Sequence, residues 1–171
     1  DALEGRTEQD KRIAGYAHDL VRAAILVVNK WDLVEKDHMT YKAYERVLND
    51  GLPFMTYAPM LFLSAFTGQR VQRLPELILK VADEHRREIP TAALNSVIRE
   101  AIVRQSPPSF KNKELKIYYA TQVKTQPPSF LLFVNNPKLM HFSYKRYLEN
   151  KIRETFGFEG TPINLYLRRR N

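Results

Sequence analysis

One stretch constrains the fold most, residues 24–33, which read Ala-Ile-Leu-Val-Val-Asn-Lys-Trp-Asp-Leu. The apolar run Ile25–Val28 predicts a buried strand, and the polar tetrapeptide 29–32 (Asn-Lys-Trp-Asp) ends it. In open α/β sheets, ligands bind just beyond the carboxyl ends of the strands. The stretch therefore predicts a ligand site at the end of a strand in such a sheet.

The residue types of this tetrapeptide suit a guanine base. The Asp32 carboxylate can accept from both the ring N–H and the exocyclic amine of guanine, a donor pair that adenine lacks on that edge. Asn29 can both donate and accept, and the stem of Lys30 can lie against a base while its ammonium group stays in water. The alternative interpretation is a strand followed by an ordinary polar turn.

A second predicted strand also ends in small polar residues. The apolar run 60–63 follows Pro59 and leads into Ser64-Ala65-Phe-Thr-Gly68. Small side chains at Ser64 and Ala65 would let backbone N–H groups approach a ligand closely. Helices are predicted over 7–20, 37–51 and 74–87, with Ile13, Val47 and Ile78 among their inward residues. This alternation of strands and helices predicts a doubly wound parallel sheet.

The two strand ends together carry a specific pattern. N-K-x-D followed about 35 residues later by S-A-x-x-G resembles the guanine-reading pair of translation-factor-like GTPases. The resemblance implies that Asp32 binds the guanine N–H and amine, Asn29 orients the base edge, and Lys30 stacks on the ring. It also implies that the Ala65 backbone N–H donates to the guanine carbonyl oxygen. The implied nucleotide-binding residues are Asn29, Lys30, Asp32, Ser64 and Ala65.

The phosphate-binding motifs of such GTPases do not occur in this sequence, which contains neither G-x-x-x-x-G-K-[ST] nor D-x-x-G. These motifs cradle the phosphates, help to hold Mg²⁺ and position the attacking water. We therefore expect the phosphate-reading half of the domain to precede Asp1, and no catalytic residue is assigned. We expect this chain alone to hydrolyse no GTP and to bind GDP weakly, if at all, because the phosphate cradle supplies much of the nucleotide affinity.

Composition excludes several other functions and suggests a compartment. The sequence has no Cys and only four His, so a thiolate metal site is impossible and a zinc site is not expected. No apolar run approaches the ~20 residues that span a bilayer, and no signal-peptide pattern opens the chain. We expect a cytoplasmic protein with no membrane partner.

The net charge of +8 is unevenly spread. Residues 1–88 carry 13 Lys and Arg against 14 Asp and Glu, whereas residues 89–171 carry 14 against 5. This asymmetry predicts two units, of which the second faces a polyanion such as RNA. The candidate phosphate contacts are Lys111, Lys113, Lys116, Arg168, Arg169 and Arg170. The alternative is a solvated basic surface without a dedicated partner.

The second half predicts a small domain of its own. Helices are expected over 92–104, capped by Thr91, and over 142–156, with strands over 115–123, 130–134 and 163–167. The order α-β-β-α-β resembles a KH-like domain. The sequences of 115–123 (Leu-Lys-Ile-Tyr-Tyr-Ala-Thr-Gln-Val), 127–130 (Pro-Pro-Ser-Phe) and 141–162 closely resemble the C-terminal domain of the Der (EngA) family of bacterial GTPases.

The first half agrees with this family, since D-A-x-E-G, T-E-Q-D and Y-A-P resemble the later part of its second G domain. Proteins of this family have two tandem G domains and one KH-like domain. The resemblance implies GTP binding and hydrolysis with Mg²⁺ in the parent protein, assembly of the large ribosomal subunit, and packing of the KH-like domain against the G domains.

We therefore predict an α/β chain with two parts. Residues 1–88 form the C-terminal half of a P-loop GTPase domain, with an incomplete doubly wound parallel sheet, and residues 89–171 form a small α+β KH-like domain. Two other functions stay open. One is a non-catalytic RNA- or ribosome-binding module, and the other is a protein-interaction domain.

Two details of the second half bear on RNA binding. Residues 157–160 match the G-x-x-G of nucleic-acid-binding KH domains, where that loop joins two helices. Here the loop joins a helix to the last strand and carries Glu159, so we predict a helix cap at Gly157 and a turn at Gly160. Tyr118 and Tyr119 are consecutive in a strand and are predicted to point to opposite faces, which would leave at most one exposed for stacking.

Overall fold

The computed structural model describes residues 1–37, 39–109 and 113–170. The chain divides into two compact units, each made of two chain segments. The first unit comprises Asp1–Glu84 with Glu159–Pro162, and the second comprises His85–Phe158 with Ile163–Asn171. The division at residues 88 and 89 stays a prediction.

The first unit alternates helices and strands. Its elements are α1 (Glu8–Asp19), β1 (Leu26–Val28), a 3₁₀ turn (Trp31–Leu33), α2 (Thr40–Gly51), β2 (Met60–Phe62) and α3 (Arg73–Arg86), the last of which ends just beyond the unit. β1 and β2 pair in parallel, with Val28 opposite Phe62. The parallel α/β arrangement predicted for this half is confirmed.

The start of α1 follows from its sequence. The Asp10 N–H donates to the Thr7 hydroxyl at 3.1 Å, and the Thr7 N–H donates to the Asp10 carboxylate at 2.9 Å. This reciprocal pair satisfies two N–H groups that the helix leaves free. The hydrogen bonds from the Thr7 backbone and hydroxyl hold the pKa of Asp10 below its usual value.

Three apolar residues predicted to face inward are exposed, namely Ile13, Val47 and Ile78. Ile13 lines an open cavity of about 390 Å³ together with Leu26 and Leu52. Helical spacing alone predicts an apolar stripe, but the width of the stripe that is covered depends on which elements pack against it. These three predictions were wrong for that reason.

The second unit is a three-stranded mixed sheet with two long helices. Its elements are α4 (Thr91–Arg104), β3 (Ile117–Thr125), β4 (Pro128–Val134), a 3₁₀ turn (Pro137–Leu139), α5 (Phe142–Phe156) and β5 (Asn164–Arg169). β4 lies in the centre, antiparallel to β3 and parallel to β5. The predicted order α-β-β-α-β is confirmed, and Gly157 ends α5 as predicted, with φ +89°.

The core of this unit lies between one face of the sheet and the two helices. Phe130, Leu132 and Val134 of β4 are fully buried there. Leu94 and Ile98 of α4 and Leu148 and Ile152 of α5 complete the core. The strand alternation therefore places Leu131 and Phe133 on the other, outer face of the sheet.

The last strand is longer than predicted. Arg168 and Arg169, expected to follow the strand, belong to β5. The Arg170 N–H donates to the Val134 carbonyl at 2.9 Å and so continues the pairing. The strand was predicted to end at residue 167 because consecutive charged residues in an exposed edge strand do not show the alternation of apolar and polar residues.

The prediction that at most one of Tyr118 and Tyr119 is exposed was wrong, because both residues are exposed, at 46% and 42%. Ile117 pairs with Val134 and Tyr119 pairs with Phe133, so Tyr118 is an extra residue in β3. Such a β-bulge sets two consecutive residues opposite one partner residue and interrupts the alternation of the strand. A bulge is a property of the pairing register, which the sequence of one strand does not contain.

Candidate guanine-base site

The two predicted motifs meet where β1 and β2 end. The Leu63 N–H donates to the Val28 carbonyl at 3.0 Å, and the Trp31 N–H donates to the Leu63 carbonyl at 3.0 Å, which extends the pairing beyond the strands. The Ala65 N–H then donates to Asn29 Oδ1 at 3.0 Å. The structure thus brings together two motifs that lie far apart in the sequence, because the carboxyl ends of parallel strands share one edge of the sheet.

Asp32 contributes an unused acceptor to this edge. It lies in the 3₁₀ turn Trp31–Leu33. Its Oδ1 is buried and has no hydrogen-bond partner among the described residues. A buried acceptor without a partner costs about 1–3 kcal/mol, and such groups in a folded protein require an explanation. A ligand with N–H donors is one.

Trp31 forms the floor of the turn and is almost completely buried. Its ring contacts Phe62 and Tyr44 edge-on, at centroid distances of 4.6 and 5.1 Å. These contacts fix the turn that carries Asn29 and Asp32. The motif alone assigns this residue no role, but a single Trp in the whole sequence, set inside a polar motif, is the signal that could have revealed it.

Lys30 has an unusual backbone conformation, with φ +61° and ψ +33°. A residue other than glycine in the left-handed region is uncommon and tends to occur at functional sites. The Lys30 ammonium pairs with the carboxylate of Asp1, and the Ala2 N–H donates to the Asn29 carbonyl at 2.8 Å. The residues around Asp1 therefore help to hold the motif, which the sequence did not indicate.

Ser64 and Ala65 play different parts in the second motif. Ser64 is fully buried, its hydroxyl accepts from the Thr67 N–H at 3.1 Å, and its own N–H donates to Gln69 at 3.0 Å. Ser64 thus shapes its own loop. The exposed Ala65 has its N–H engaged by Asn29, so a base carbonyl oxygen would share that N–H or displace Asn29.

The predicted phosphate contacts of the second unit form two groups. Lys113 and Lys116 precede β3, whereas Arg168, Arg169 and Arg170 lie in or just after β5, and all five are exposed. Lys111 lies outside the described residues. Since β3 and β5 flank β4 on opposite sides, the two groups lie at opposite edges of the sheet.

Metal-ligating side chains are not clustered in the part of the chain that the structure describes. Within residues 1–37, 39–109 and 113–170, no three His, Cys, Asp or Glu side chains are grouped to hold a cation. The described helices also include none that is long and apolar enough to cross a bilayer.

Comparison with known proteins identifies the family. Residues 88–168 match the sequence model of one protein family, which is described as "KH-domain-like of EngA bacterial GTPase enzymes, C-terminal". The chain is 56% identical over 168 residues to GTPase Der of Acetivibrio thermocellus, covering 98% of this chain and 38% of that protein. It is 57% identical over 170 residues to GTPase Der of Pelotomaculum thermopropionicum, covering 99% and 39%. The chain belongs to the Der (EngA) family.

The predicted family is therefore confirmed. The chain spans 38% and 39% of the lengths of these two curated Der relatives, so it corresponds to one part of a Der protein. Among solved structures, the crystal structure of Era in complex with MgGDPNP and nucleotides 1506–1542 of 16S ribosomal RNA is similar, with a TM-score of 0.42 and 16% identity. The match covers 99% of this chain and 63% of the Era chain. A likeness of this extent assigns no ligand to the present chain.

Proposed function

We propose that the joined ends of β1 and β2 read the guanine base of GTP or GDP in a Der-type GTPase. The observation that carries this proposal is the buried Oδ1 of Asp32, which has no partner among the described residues, close in sequence to the Asn29–Ala65 link. Guanine presents a ring N–H and an amine side by side, and one carboxylate can accept both. The ligand would thus satisfy an acceptor that the protein leaves open.

The other residues of the site add orientation and selectivity. Asn29 holds the base edge and the loop, Lys30 lays its stem on the ring, and Ser64 keeps Ala65 in place. The Ala65 N–H donates to the guanine carbonyl oxygen. Adenine has an amine at that position, so two hydrogen-bond donors, this amine and the Ala65 N–H, would face each other. A site whose buried polar groups lose their partners rejects such an analogue strongly.

In a protein of the length of its Der relatives, this site would select the nucleotide for GTP hydrolysis during assembly of the large ribosomal subunit. The phosphates and Mg²⁺ would be held by a G-x-x-x-x-G-K-[ST] loop of the parent protein, a motif that this sequence does not contain. Residues 1–88 would then be the later half of a G domain, one of two in tandem, and residues 89–171 its KH-like neighbour, in the cytoplasm.

The test replaces Asp32 in the full-length protein. Asp32→Asn turns one acceptor into a donor, and xanthine carries a carbonyl where guanine carries its amine. We expect guanine nucleotide affinity to fall at least about tenfold, which corresponds to one lost hydrogen bond to a charged group, and xanthine nucleotide affinity to rise. Competition between GDP and XDP for the purified variant measures both.

The matched control is Asp37→Asn. The Asp37 carboxylate accepts from the Met39 N–H and the Thr40 hydroxyl, both at 2.8 Å, and lies outside the proposed base edge. This substitution should leave the preference between GDP and XDP unchanged. Because the other G domain keeps its own guanine site, one of the two nucleotide sites should lose its preference for GDP, and two sites that both remain guanine-selective would refute the assignment.

A second candidate function is a non-catalytic RNA- or ribosome-binding module. It is favoured by the exposed cations at both edges of the second sheet and by the excess of 14 basic over 5 acidic residues in 89–171. It predicts RNA binding that weakens steeply with salt and that does not depend on GTP. Replacement of Lys113 and Lys116 by Gln should then weaken binding to every RNA alike.

A further inference from the structure

We infer that the outer face of the second unit's sheet is a stacking surface for single-stranded RNA. We call it the aromatic face, made of Tyr118, Tyr119, Phe133 and Tyr166 with Arg168 and Arg170. The inference deepens RNA binding, the second candidate function above, and rests on it. It assigns base stacking to a surface that the charge pattern alone had marked only for phosphate contact.

One row of this face crosses all three strands. Tyr119 of β3 pairs with Phe133 of β4, and Phe133 pairs with Arg168 of β5. The rings of Tyr119 and Phe133 are stacked, 4.3 Å apart and inclined by only 9°. The row thus consists of two parallel rings with a guanidinium group beside them.

The neighbouring rows extend this surface. Leu131 pairs with Tyr166, which is 51% exposed. On the other side, Tyr118 is 46% exposed, and the guanidinium of Arg170, which strand alternation puts on the same face as Arg168, lies 5.0 Å from the centre of the Tyr118 ring. The sheet packs its helices on the opposite face, where Ala120, Leu132 and Leu165 are buried.

The chemistry of this face favours unpaired nucleotides over an apolar protein partner. Successive bases of a single strand stack on aromatic side chains, while nearby cations meet the phosphates. Sheets that bind RNA present aromatic residues in this way. Tyr166, Arg168 and Arg170 are two residues apart from one another, so they share one face of β5 and its continuation. The half of the chain that contains them has 14 basic and 5 acidic residues.

The spacing suits more than one base. Tyr119 and Tyr166 lie on the two outer strands and in rows two residues apart, so two strand spacings and two residues of rise put their backbones about 12 Å apart. Two rings at that separation can each take a separate base. Duplex RNA keeps its bases stacked within the helix, so it could use the arginines but not the rings.

The test removes two aromatic rings and leaves a large apolar side chain at each position. The double variant Tyr119→Leu/Tyr166→Leu is compared with the unmodified chain for binding a fluorescein-labelled oligouridine and an RNA duplex of equal length. We expect at least about tenfold weaker binding of the single strand and no change for the duplex. The salt dependence should stay the same, because no phosphate contact is lost.

Two further variants separate stacking from charge. Arg168→Gln/Arg170→Gln should weaken both RNAs and lower the salt slope by about one unit for each arginine that contacts a phosphate. Tyr16→Leu removes a tyrosine of α1 that is 67% exposed and should change nothing. Tyr119→Phe/Tyr166→Phe keeps the rings and should bind the single strand like the unmodified chain.

A direct readout does not depend on variants. A single-stranded RNA containing 2-aminopurine should lose fluorescence on binding the unmodified chain, because stacking quenches that base. Binding of this RNA without quenching would overturn the inference. So would a leucine variant whose affinity falls equally for single-stranded and duplex RNA, or does not fall at all. A chain that binds proteins through this face but no single-stranded RNA would overturn it as well. Guanine selectivity that survives Asp32→Asn would refute the proposed base site but leave these RNA readouts unchanged, so the two proposals fail separately.

Discussion

At the scale of single residues, Gly160 shows how a motif can mislead. It ends the G-x-x-G of residues 157–160, yet it serves packing. Its N–H donates to the Tyr57 carbonyl and its own carbonyl accepts from the Ala24 N–H, both at 2.7 Å. Its neighbour Glu159 is paired with Lys80. These contacts agree with the predicted turn at Gly160, where φ is +74°.

Gly160→Ala should destabilise the chain for two reasons. A side chain is strained at this φ, and the added Cβ would lie 2.5 and 2.7 Å from the two γ-carbons of Val81. The left-handed conformation costs about 1–2 kcal/mol and overpacking about 1–3 kcal/mol. We expect the free energy of unfolding, measured by urea denaturation, to fall by about 3 kcal/mol.

Gly5→Ala is the control for backbone strain alone. Gly5 has φ +70°, but a Cβ there would meet nothing within 4 Å, so its loss should be only about 1 kcal/mol. Combining Gly160→Ala with Val81→Ala should cost less than the sum of the two single changes, because the second relieves the clash. Equal losses for the two glycines would contradict this account.

At the scale of secondary-structure elements, Asn95 joins α4 to the outer strand β3. Its Nδ2 donates to the carbonyls of Thr91 at 2.7 Å and Ala120 at 2.8 Å, and its Oδ1 accepts from the Ala120 N–H at 2.8 Å. The side-chain amide thereby satisfies both backbone groups of Ala120 that an edge strand leaves unpaired. It also covers a stretch of edge at which another strand could add.

Asn95→Ala should leave the backbone groups of the buried Ala120 without these partners. Each such group costs about 1–3 kcal/mol when water cannot replace the bond, and we expect a total loss of about 2 kcal/mol in the free energy of unfolding. Ser96→Ala, at the next position of α4, should change that energy by less than about 0.5 kcal/mol. Equal urea midpoints for Asn95→Ala and Ser96→Ala would mean that the hydrogen bonds between Asn95 and Ala120 contribute nothing to the free energy of unfolding.

The elements themselves were mostly predictable. The bounds of α5 were predicted to the residue, because Gly157 follows a clear apolar stripe through Tyr144 and Leu148. The capping box at Thr7 was visible for the same kind of reason, since its signal is local. The outer face of the sheet was not predictable, because Tyr118 depends on a bulge and Arg168 on the length of the neighbouring strand β4.

At the scale of the whole molecule, the candidate site combines what the sequence can and cannot predict. The meeting of Asn29 with Ala65 follows from topology, since two parallel strands bring their carboxyl ends to one edge. The bond between them, the buried Oδ1 of Asp32 and the floor formed by Trp31 are matters of packing. They could be known only once the two strands and the turn were placed together.

The most direct test of the account is nuclear magnetic resonance on the ¹⁵N-labelled chain. The backbone amides of Asn29 and Ala65 are followed while GDP or ADP is added to millimolar concentration. The account predicts that GDP shifts both signals, with Ala65 most affected because its N–H must be shared with or passed to the base, and that ADP shifts neither. Equal shifts with both nucleotides, or larger shifts with ADP than with GDP, would contradict the claim that these strand ends read guanine.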